Sequence, residues 1–306
     1  MPSLRSLHRP AHLGHTNYNQ FILLDGRGET VADASLAELA QRLCPSPLAD
    51  DLIVLQESTS EHARARLRIF GADGREADFC GNGALLAAHR LAEQAQSEGE
   101  SVDELVLDSR VGPRRAEQVT GADGRPAWRV EVGPERRLPG PTDAPLPAGA
   151  ELLGLLHVGE PHLVLSAPGN LGGFHVSDPD FEAFCAPLRD AFDIEGGVNV
   201  TLLFERDGDY LSIRTYERGN RRQTRSCGTG AAAAAAVVYD ATETPRWIVA
   251  PGGTHRVVCK EGTWTVAAAA ETVASGTFSD GGFHFPLDRL ATPNRPDSIP
   301  ALSDRP

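Results

Sequence analysis

The amino-acid sequence predicts an α/β protein built from two pseudo-symmetric halves, each with a sheet wrapped around a central apolar helix. Strand patterns and helix patterns occur together in both halves of the chain. The arrangement Cys-Gly-x-Gly followed by an apolar helix occurs twice, once at Cys80 and once at Cys227. Neither helix has a continuous polar face, which is typical of a helix that is buried on nearly all sides.

In the first half, hydrophobic periodicity predicts two helices among short strands. Residues 34–43 place leucines on one helical face and Pro45 follows, so we expect the first helix to end there. The second predicted helix spans 83–93, after a glycine turn at 71–74. The stretch 17–25 is predicted as a polar loop that runs into a strand. Apolar or alternating runs predict further strands at 52–55, 65–70, 104–107 and 128–132.

The second half repeats this order of elements. Helices are predicted at 181–192 and at 230–240, where the second helix contains six consecutive alanines. A turn at 251–253 follows the second helix. Strands are predicted at 152–158, 162–166, 198–204, 210–216, 247–250, 255–260, 263–269 and 272–278.

The distribution of proline suggests the domain boundaries. Prolines are dense between 134 and 147, and we interpret this stretch as the crossover between the halves. The chain beyond Pro286 is polar and proline-rich, which is typical of disorder. We therefore expect five parts: a flexible leader at 1–11, an N-terminal half at 12–136, a C-terminal half at 137–271, a strand from about 272–286 that joins the N-terminal half, and a flexible tail at 287–306.

Composition excludes several classes of function. The 306 residues carry a formal net charge of −13, which argues against nucleic acid or an anionic membrane as the main partner. No run approaches the roughly 20 apolar residues of a membrane helix, and the N-terminus lacks the apolar core of a secretory signal. The chain has five cysteines, an odd number, so we do not expect structural disulfides. This predicts a cytoplasmic location.

The two Cys-Gly elements predict a chemistry. A thiol at a helix N-terminus lies beside unpaired N–H groups, which lower its pKa and can also hold a carboxylate. If two such helix starts face each other, a bound amino acid has one thiol on each side of its α-carbon. One thiolate can then remove the α-proton while the opposite thiol supplies a proton to the other face. This scheme requires no cofactor, neither a metal nor pyridoxal phosphate.

Alternative interpretations account for the other cysteines and for the glycines. Cys44, Cys185 and Cys259 fit the pattern of inert buried residues. Residues 228–233 match the weak GxGxxA pattern of a Rossmann-type oxidoreductase. That interpretation lacks an acidic residue about 20 positions further on and does not explain Cys80. A non-catalytic amino-acid-binding protein is a third possibility, although it would not need both cysteines.

Several motifs in order carry a resemblance to a known family. They are Asn19-Gln20-Phe21, Phe70-Gly71-Ala72-Asp73-Gly74, Cys80-Gly81-Asn82-Gly83-Ala84, Gly159-Glu160-Pro161-His162, Val198-Asn199, Tyr216-Glu217-Arg218-Gly219, Cys227-Gly228-Thr229-Gly230 and Pro251-Gly252-Gly253. Over residues 12–280, roughly, this pattern resembles the diaminopimelate epimerase family. The resemblance implies two domains with curled mixed sheets, an active site in the cleft between them, and cofactor-independent epimerisation.

The resemblance also implies roles for individual residues. Cys80 and Cys227 correspond to the catalytic pair. The substrate-binding residues would be Asn19, Gly81, Asn82, Glu160, His162, Asn199, Glu217, Arg218, Gly228 and Thr229. Within this set, the backbone groups at Gly81, Asn82, Gly228 and Thr229 would hold the reacting carboxylate. A structural role for His162 fits equally well.

Departures from the family pattern leave the substrate open. Gly71 and Glu160 stand where the family has asparagines that contact the far end of diaminopimelate, and Gln20 replaces an aspartate. We expect diaminopimelate as the leading substrate, with an amino acid of basic or imidazole side chain as the alternative. Arg221, Arg222 or Arg225, in a loop with one inserted residue, is a candidate for the missing carboxylate contact. The sequence leaves a monomer and a homodimer both open.

Overall fold

The computed structural model describes residues 8–28, 31–44, 49–121, 124–139, 146–147, 149–167 and 179–286. The described residues form 18 strands and four helices. The helices are α1 (Asp33–Leu43), α2 (Gly81–Ser97), α3 (Pro179–Arg189) and α4 (Gly228–Val238). The strands are β1 (Arg9–Thr16), β2 (Asn19–Asp25), β3 (Asp51–Gln56), β4 (Ala65–Phe70), β5 (Glu104–Asp108), β6 (Arg114–Thr120), β7 (Pro126–Gly133), β8 (Arg136–Arg137), β9 (Glu151–Val158), β10 (Glu160–Ser166), β11 (Asn199–Asp207), β12 (Tyr210–Glu217), β13 (Arg222–Thr224), β14 (Arg246–Ala250), β15 (Gly253–Lys260), β16 (Thr263–Ala268), β17 (Ala270–Ser279) and β18 (Gly282–His284).

The same order of strand pairings occurs twice. From β1 through β2, β3, β4, β5 and β6 to β7, the pairings are antiparallel, parallel, antiparallel, parallel, antiparallel and antiparallel. From β9 through β10, β11, β12, β14 and β15 to β16, the order is the same. The last strands of the two series, β7 and β16, pair with each other, so one mixed sheet runs through the molecule. Strand β17 then returns to pair with β1.

Helices α2 and α4 occupy the equivalent place in the two series, between β4 and β5 and between β12 and β14. Both begin at a cysteine whose backbone is extended, and the cysteine sulfur accepts a hydrogen bond from the N–H three residues later. This is the geometry of a helix N-cap, with sulfur in place of the usual side-chain oxygen. The apolar side chains of α2 and the alanines of α4 belong to one buried cluster with residues of both strand series.

Helices α1 and α3 cover other faces of the sheet. Leu36 and Leu39 of α1 are buried in a cluster with β1, β2 and β3, and Phe181 and Cys185 of α3 are buried against β10, β11 and β12. All four helices were predicted within a few residues of their observed ends. Helix α2 is longer than predicted at both ends, since it already includes Gly81 and continues to Ser97.

Several features of the sequence-based prediction were wrong. Residues 9–11, expected in a flexible leader, belong to β1, which pairs with both β2 and β17. Strand β6 was not predicted because it buries only Ala116 among charged residues and is formed by pairing with β5 and β7. The short strands β8, β13 and β18 also lacked a pattern. The expected tail at 287–306 and most of the leader lie outside the described residues.

No helix within the described residues is long and apolar enough to cross a membrane.

Candidate active site

The two cysteines line one cleft, at the place where the starts of α2 and α4 meet. A Cβ atom placed on Gly228 would lie 3.3 Å from the Cα atom of Gly81, so the backbones are in close contact there. Glycine at both positions favours this approach, because a Cβ atom there would make tight contacts. The cleft has a volume of about 580 Å³ and is lined by residues from both strand series.

Seven of the twelve predicted site residues line this cleft. They are Cys80, Glu160, Asn199, Glu217, Arg218, Cys227 and Thr229. Within the described part of the chain, the side chains of Asn19, Asn82 and His162 and the glycines at 81 and 228 lie behind its wall. The structure therefore brings the predicted residues together and divides them into a cleft-facing set and a supporting set.

The Cys227 thiol lies in a polar environment of its own half. Its sulfur is 3.4 Å from the Gly230 nitrogen, which donates to it, and 3.4 Å from the Thr229 hydroxyl. The Glu217 carboxylate lies close enough to act on the Cys227 thiol. Burial is the main reason that the pKa of Cys227 is raised well above its usual value, and the charge of Glu217 adds to this. Cys227 is therefore a neutral thiol at rest.

The Cys80 thiol has fewer partners. The Gly83 nitrogen donates to its sulfur at 3.4 Å. Burial raises the pKa of Cys80 well above its usual value, and the largest charge acting on it in the same direction is that of Asp51. Because thiol ionisation is disfavoured at both cysteines, a neighbouring base or the bound substrate must supply the driving force for thiolate formation.

A buried pair of carboxyl groups faces the cysteines. The Asn220 amide donates to Glu217 Oε2 at 3.1 Å and is 3.2 Å from Asp51 Oδ1. Thr224 also donates to Glu217, at 2.7 Å. Burial, chiefly, raises the pKa of Glu217 to about 7, and burial and the charge of Glu217 raise the pKa of Asp51. At neutral pH Glu217 is thus poised to exchange a proton.

Arg218 is held by acidic groups and carbonyls. Its Nη2 atom lies 2.5 Å from Glu160 Oε2 and 3.7 Å from Asp78 Oδ2, and Nη1 donates to the carbonyls of Glu195 and Gly197. Glu160 Oε1 in turn accepts from the backbone nitrogens of Asp78 and Phe79. Burial is the main cause of the raised pKa of Glu160, and the Arg218 charge opposes it. Glu160 therefore links the second half to the segment before Cys80.

His162 is held by hydrogen bonds inside the second half. The side chain is fully buried, with Nδ1 3.1 Å from the Thr201 hydroxyl and Nε2 2.9 Å from the Thr229 hydroxyl. Burial lowers its pKa to about 3, so the ring is neutral. It orients Thr229, which contacts Cys227 directly. Asn199 lies beside it and accepts from the Arg218 backbone nitrogen at 2.9 Å.

Known proteins match the chain over most of its length. Diaminopimelate epimerase of Thermobifida fusca is 32% identical over 277 residues, which cover 86% of this chain and 95% of the relative. Diaminopimelate epimerase of Methanothrix thermoacetophila is 32% identical over 288 residues, covering 87% and 94%. No protein-family model matches the chain.

The chain belongs to the diaminopimelate epimerase family. It is accordingly an epimerase or racemase, an isomerase that acts on an amino acid.

A solved structure confirms the fold that the resemblance implied. A hydroxyproline epimerase from Agrobacterium vitis matches with a TM-score of 0.60 and 16% identity, covering 90% of this chain and 95% of that structure. At this level of identity, the likeness concerns the fold alone.

The departures from the family pattern now have locations. Gly71 lies across the cleft from Gly219, and a Cβ atom at position 71 would be 3.4 Å from the Gly219 Cα atom. The two halves thus approach each other where the family has an asparagine side chain. Of the three arginines considered for a carboxylate contact, Arg222 lies 2.6 Å from Asp50. None of the three lines the cleft in the described part of the chain.

Several cleft residues were absent from the predicted site, and three of them are polar residues close to the carboxyl pair or at the rim of the cleft. Asp51, Asn220 and Arg75 line the cleft, and Asp51 carries the charge that acts most strongly on Cys80. The one available signal for Asp51 was the acidic doublet Asp50-Asp51 directly before an apolar strand. Asp50 itself accepts from the Asn19 amide at 3.0 Å and from the Gln20 nitrogen at 2.8 Å, and so anchors the start of β2.

Proposed function

We propose that this protein inverts the α-carbon of a free amino acid by a two-base mechanism in which Cys80 and Cys227 act from opposite faces. The observation that carries the proposal is the contact of the two helix starts, each capped by a cysteine that lines one cleft. The first N–H groups of a helix have no partner within the helix, and those of α2 and α4 would favour a substrate carboxylate between the two helix starts. They also stabilise the negative charge that develops when the α-proton leaves.

The environment of Cys227 supports a role for Glu217 as its base. Proton transfer from the Cys227 thiol to the Glu217 carboxylate gives a thiolate. The thiolate takes the α-proton, and the electron pair of the C–H bond remains on the substrate as an enolate. The Cys80 thiol then donates its proton to the opposite face of the carbon. Inversion leaves Cys80 as the thiolate, and proton exchange with water restores the starting state.

Diaminopimelate is the substrate that the relatives favour. The α-carboxylate would lie at the two helix starts. The α-ammonium would lie against the Asp51 and Glu217 carboxyl groups beside the cysteines. The far carboxylate would need a cation, and Arg75, at the mouth of the cleft and close to Gly196, is the candidate because Arg218 already holds Glu160.

A second substrate class is favoured by the charge of the cleft. Its lining contains seven carboxyl groups and three guanidinium groups. They are Asp51, Asp73, Glu76, Asp78, Glu160, Glu195 and Glu217 against Arg75, Arg110 and Arg218. An amino acid with a cationic side chain would complement this balance and would need no second carboxylate site. We propose an amino acid with a cationic side chain as the alternative substrate. We also propose that the halves at 12–136 and 137–271 close on either ligand, and that the enzyme is cytoplasmic.

The test is α-proton exchange in deuterium oxide under reducing conditions. LL-diaminopimelate, L-lysine, L-arginine and L-histidine are incubated separately with the protein, and both the α-proton NMR signal and the stereochemistry are followed. Exchange with inversion of one substrate supports the proposal and identifies the substrate class. Absence of exchange with every compound, for a folded protein with reduced thiols, would overturn it.

A further inference from the structure

A buried polar cluster joins the two halves directly behind the cysteines. We call it the Asn82 cluster, and it consists of Asn19, Asn82, Ser226 and His255. Each of these residues is at most 2% exposed. The Asn82 amide nitrogen lies 3.1 Å from Asn19 Oδ1 and 3.1 Å from the Ser226 carbonyl, and Asn82 Oδ1 lies 2.8 Å from His255 Nε2. Asn82 belongs to the first turn of α2, and Ser226 directly precedes Cys227.

The orientation of each group in the cluster follows from its partners. Asn19 donates its amide hydrogens to the Asp50 carboxylate, so its oxygen faces Asn82 as an acceptor. Asn82 must therefore donate to Asn19 and to the Ser226 carbonyl, and its own oxygen faces His255. Consequently His255 carries its proton on Nε2 and donates it. Burial lowers the pKa of His255 to about 4, which keeps the ring neutral.

His255 donates to Oδ1 of Asn82, which is the only acceptor atom of the Asn82 side chain. Without this donor, the Asn82 oxygen would be buried and unpaired, a state that costs about 1–3 kcal/mol. The amide would then rotate or move toward another donor and release the Ser226 carbonyl. The residue at the same place in α4, Thr229, bonds to His162 of its own half. Asn82 thus makes a link between the halves that Thr229 does not.

We propose that His255 is a positioning residue for the reaction. Through Asn82 it holds the Ser226–Cys227 segment against the start of α2, so that the two thiols address the same carbon atom. This inference rests on the proposed two-base function. A misplacement of about 1 Å can lower the rate of a proton transfer roughly 100-fold. The geometry therefore indicates that His255 supports inversion, the step that needs both thiols. The first deprotonation, which needs one thiolate, does not depend on it.

The test compares deuterium incorporation with retention and with inversion. The probe is LL-diaminopimelate, or whichever of L-lysine, L-arginine and L-histidine the wild-type protein inverts. In His255→Leu, one thiolate still removes the α-proton, but the opposite thiol is out of register and the enolate is reprotonated on its original face. We expect the ratio of retention to inversion to rise about tenfold or more. His255→Gln retains a donor and should restore the ratio toward that of the wild type.

A matched control and a second variant separate positioning from stability. His12 is another buried histidine with its pKa lowered to about 4, and it contacts Ser275 and Arg90 away from the cleft. His12→Leu should leave the ratio unchanged even if it lowers stability. Asn82→Ala should reproduce the effect of His255→Leu, and the double variant should add little to either, as for two residues that act as one unit.

The outcomes distinguish the two proposals. If the wild-type protein inverts none of the four amino acids, the proposed function fails before any variant is compared. If the wild type is active and both His255→Leu and Asn82→Ala lose exchange and inversion in equal proportion, or keep both, the positioning role of His255 is overturned.

Discussion

Cys80 and Cys227 have equivalent positions at the starts of α2 and α4, but their surroundings differ. Cys227 is 7% exposed, contacts the Thr229 hydroxyl and lies beside the Glu217 carboxylate. Cys80 is half-buried, and Asp51 and Glu217 both act on it through their charges. The same difference continues one step further, because Thr229 bonds within its own half and Asn82 bonds across to the other. The repeat thus reproduces the positions of the thiols, while the groups that control their protons are individual to each half.

The largest expected effect comes from removing either thiol. Cys80→Ser and Cys227→Ser should each lower the rate of inversion about 10²- to 10⁴-fold, the usual contribution of a general acid or base. The remaining thiol in each variant still faces one side of the α-carbon. Deuterium exchange without inversion should therefore persist from one enantiomer in each variant, and from opposite enantiomers in the two.

The control for this prediction is Cys259→Ser, since Cys259 is a buried free cysteine of β15 that does not line the cleft. Its rate of inversion should equal that of the wild type. Full inversion by either single variant at 80 or 227 would show that the two thiols do not form the acid–base pair.

The next largest effect comes from removing Glu217, which is part of the difference between the two sites. Glu217→Gln removes the base proposed for Cys227, together with a charge that also acts on Cys80, so we expect kcat to fall about 100-fold. Because the pKa of Glu217 is raised to about 7, the wild-type kcat/KM should rise as the pH increases through about 7, where the carboxylate becomes available to accept a proton. The variant should lose this inflection. A pH–rate profile from pH 5 to 9 measures both effects, and an inflection that persists in Glu217→Gln would assign it to another group.

A smaller effect concerns the contact between the helix starts. In Gly228→Ala the new Cβ atom would lie 3.1 Å from Asn82 Oδ1 and 3.2 Å from the Asn82 nitrogen, in a buried and fully bonded place. In Gly81→Ala the nearest atom, at 3.2 Å, is a methyl group of the Val266 side chain, which can move. We expect Gly228→Ala to slow inversion about tenfold and Gly81→Ala to slow it less. Steady-state kinetics of the two variants test the order, and the reverse order would contradict the prediction.

The residues that the sequence identified and those that it missed differ in the range of their contacts. Cys80 and Cys227 were found because the N-cap, the glycines and the helix lie within a few positions of each other. The partners of Asn82 and Asp51 are His255 and Asn220, which lie 173 and 169 positions away along the chain. Periodicity assigns His255 only to a strand, and it carries no information about which buried amide that strand will meet. Of the two partners of strand β1, β17 likewise comes from the far end of the chain.

The smallest expected effect is on stability and concerns the carboxyl pair beside the cysteines. Burial and the charge of Glu217 raise the pKa of Asp51, so the folded state binds a proton more tightly than the unfolded state does. The free energy of unfolding therefore falls as the pH rises from about 4, the unfolded value, through the folded pKa. Asp51→Asn removes this titration and can retain a hydrogen bond to Asn220. We expect the variant to be more stable than the wild type at pH 8.

Urea unfolding at pH 5 and pH 8 measures this difference, which should be smaller at pH 5. Asp33→Asn is the matched control, because Arg68 lowers the pKa of Asp33 and its contribution is lost only as the pH falls below about 4. The change in stability between pH 5 and pH 8 should thus be the same in Asp33→Asn as in the wild type. If Asp51→Asn shows that same change as well, Asp51 is ionised throughout this range. The Asp51 carboxylate would then act on Cys80 as a fixed negative charge throughout this range.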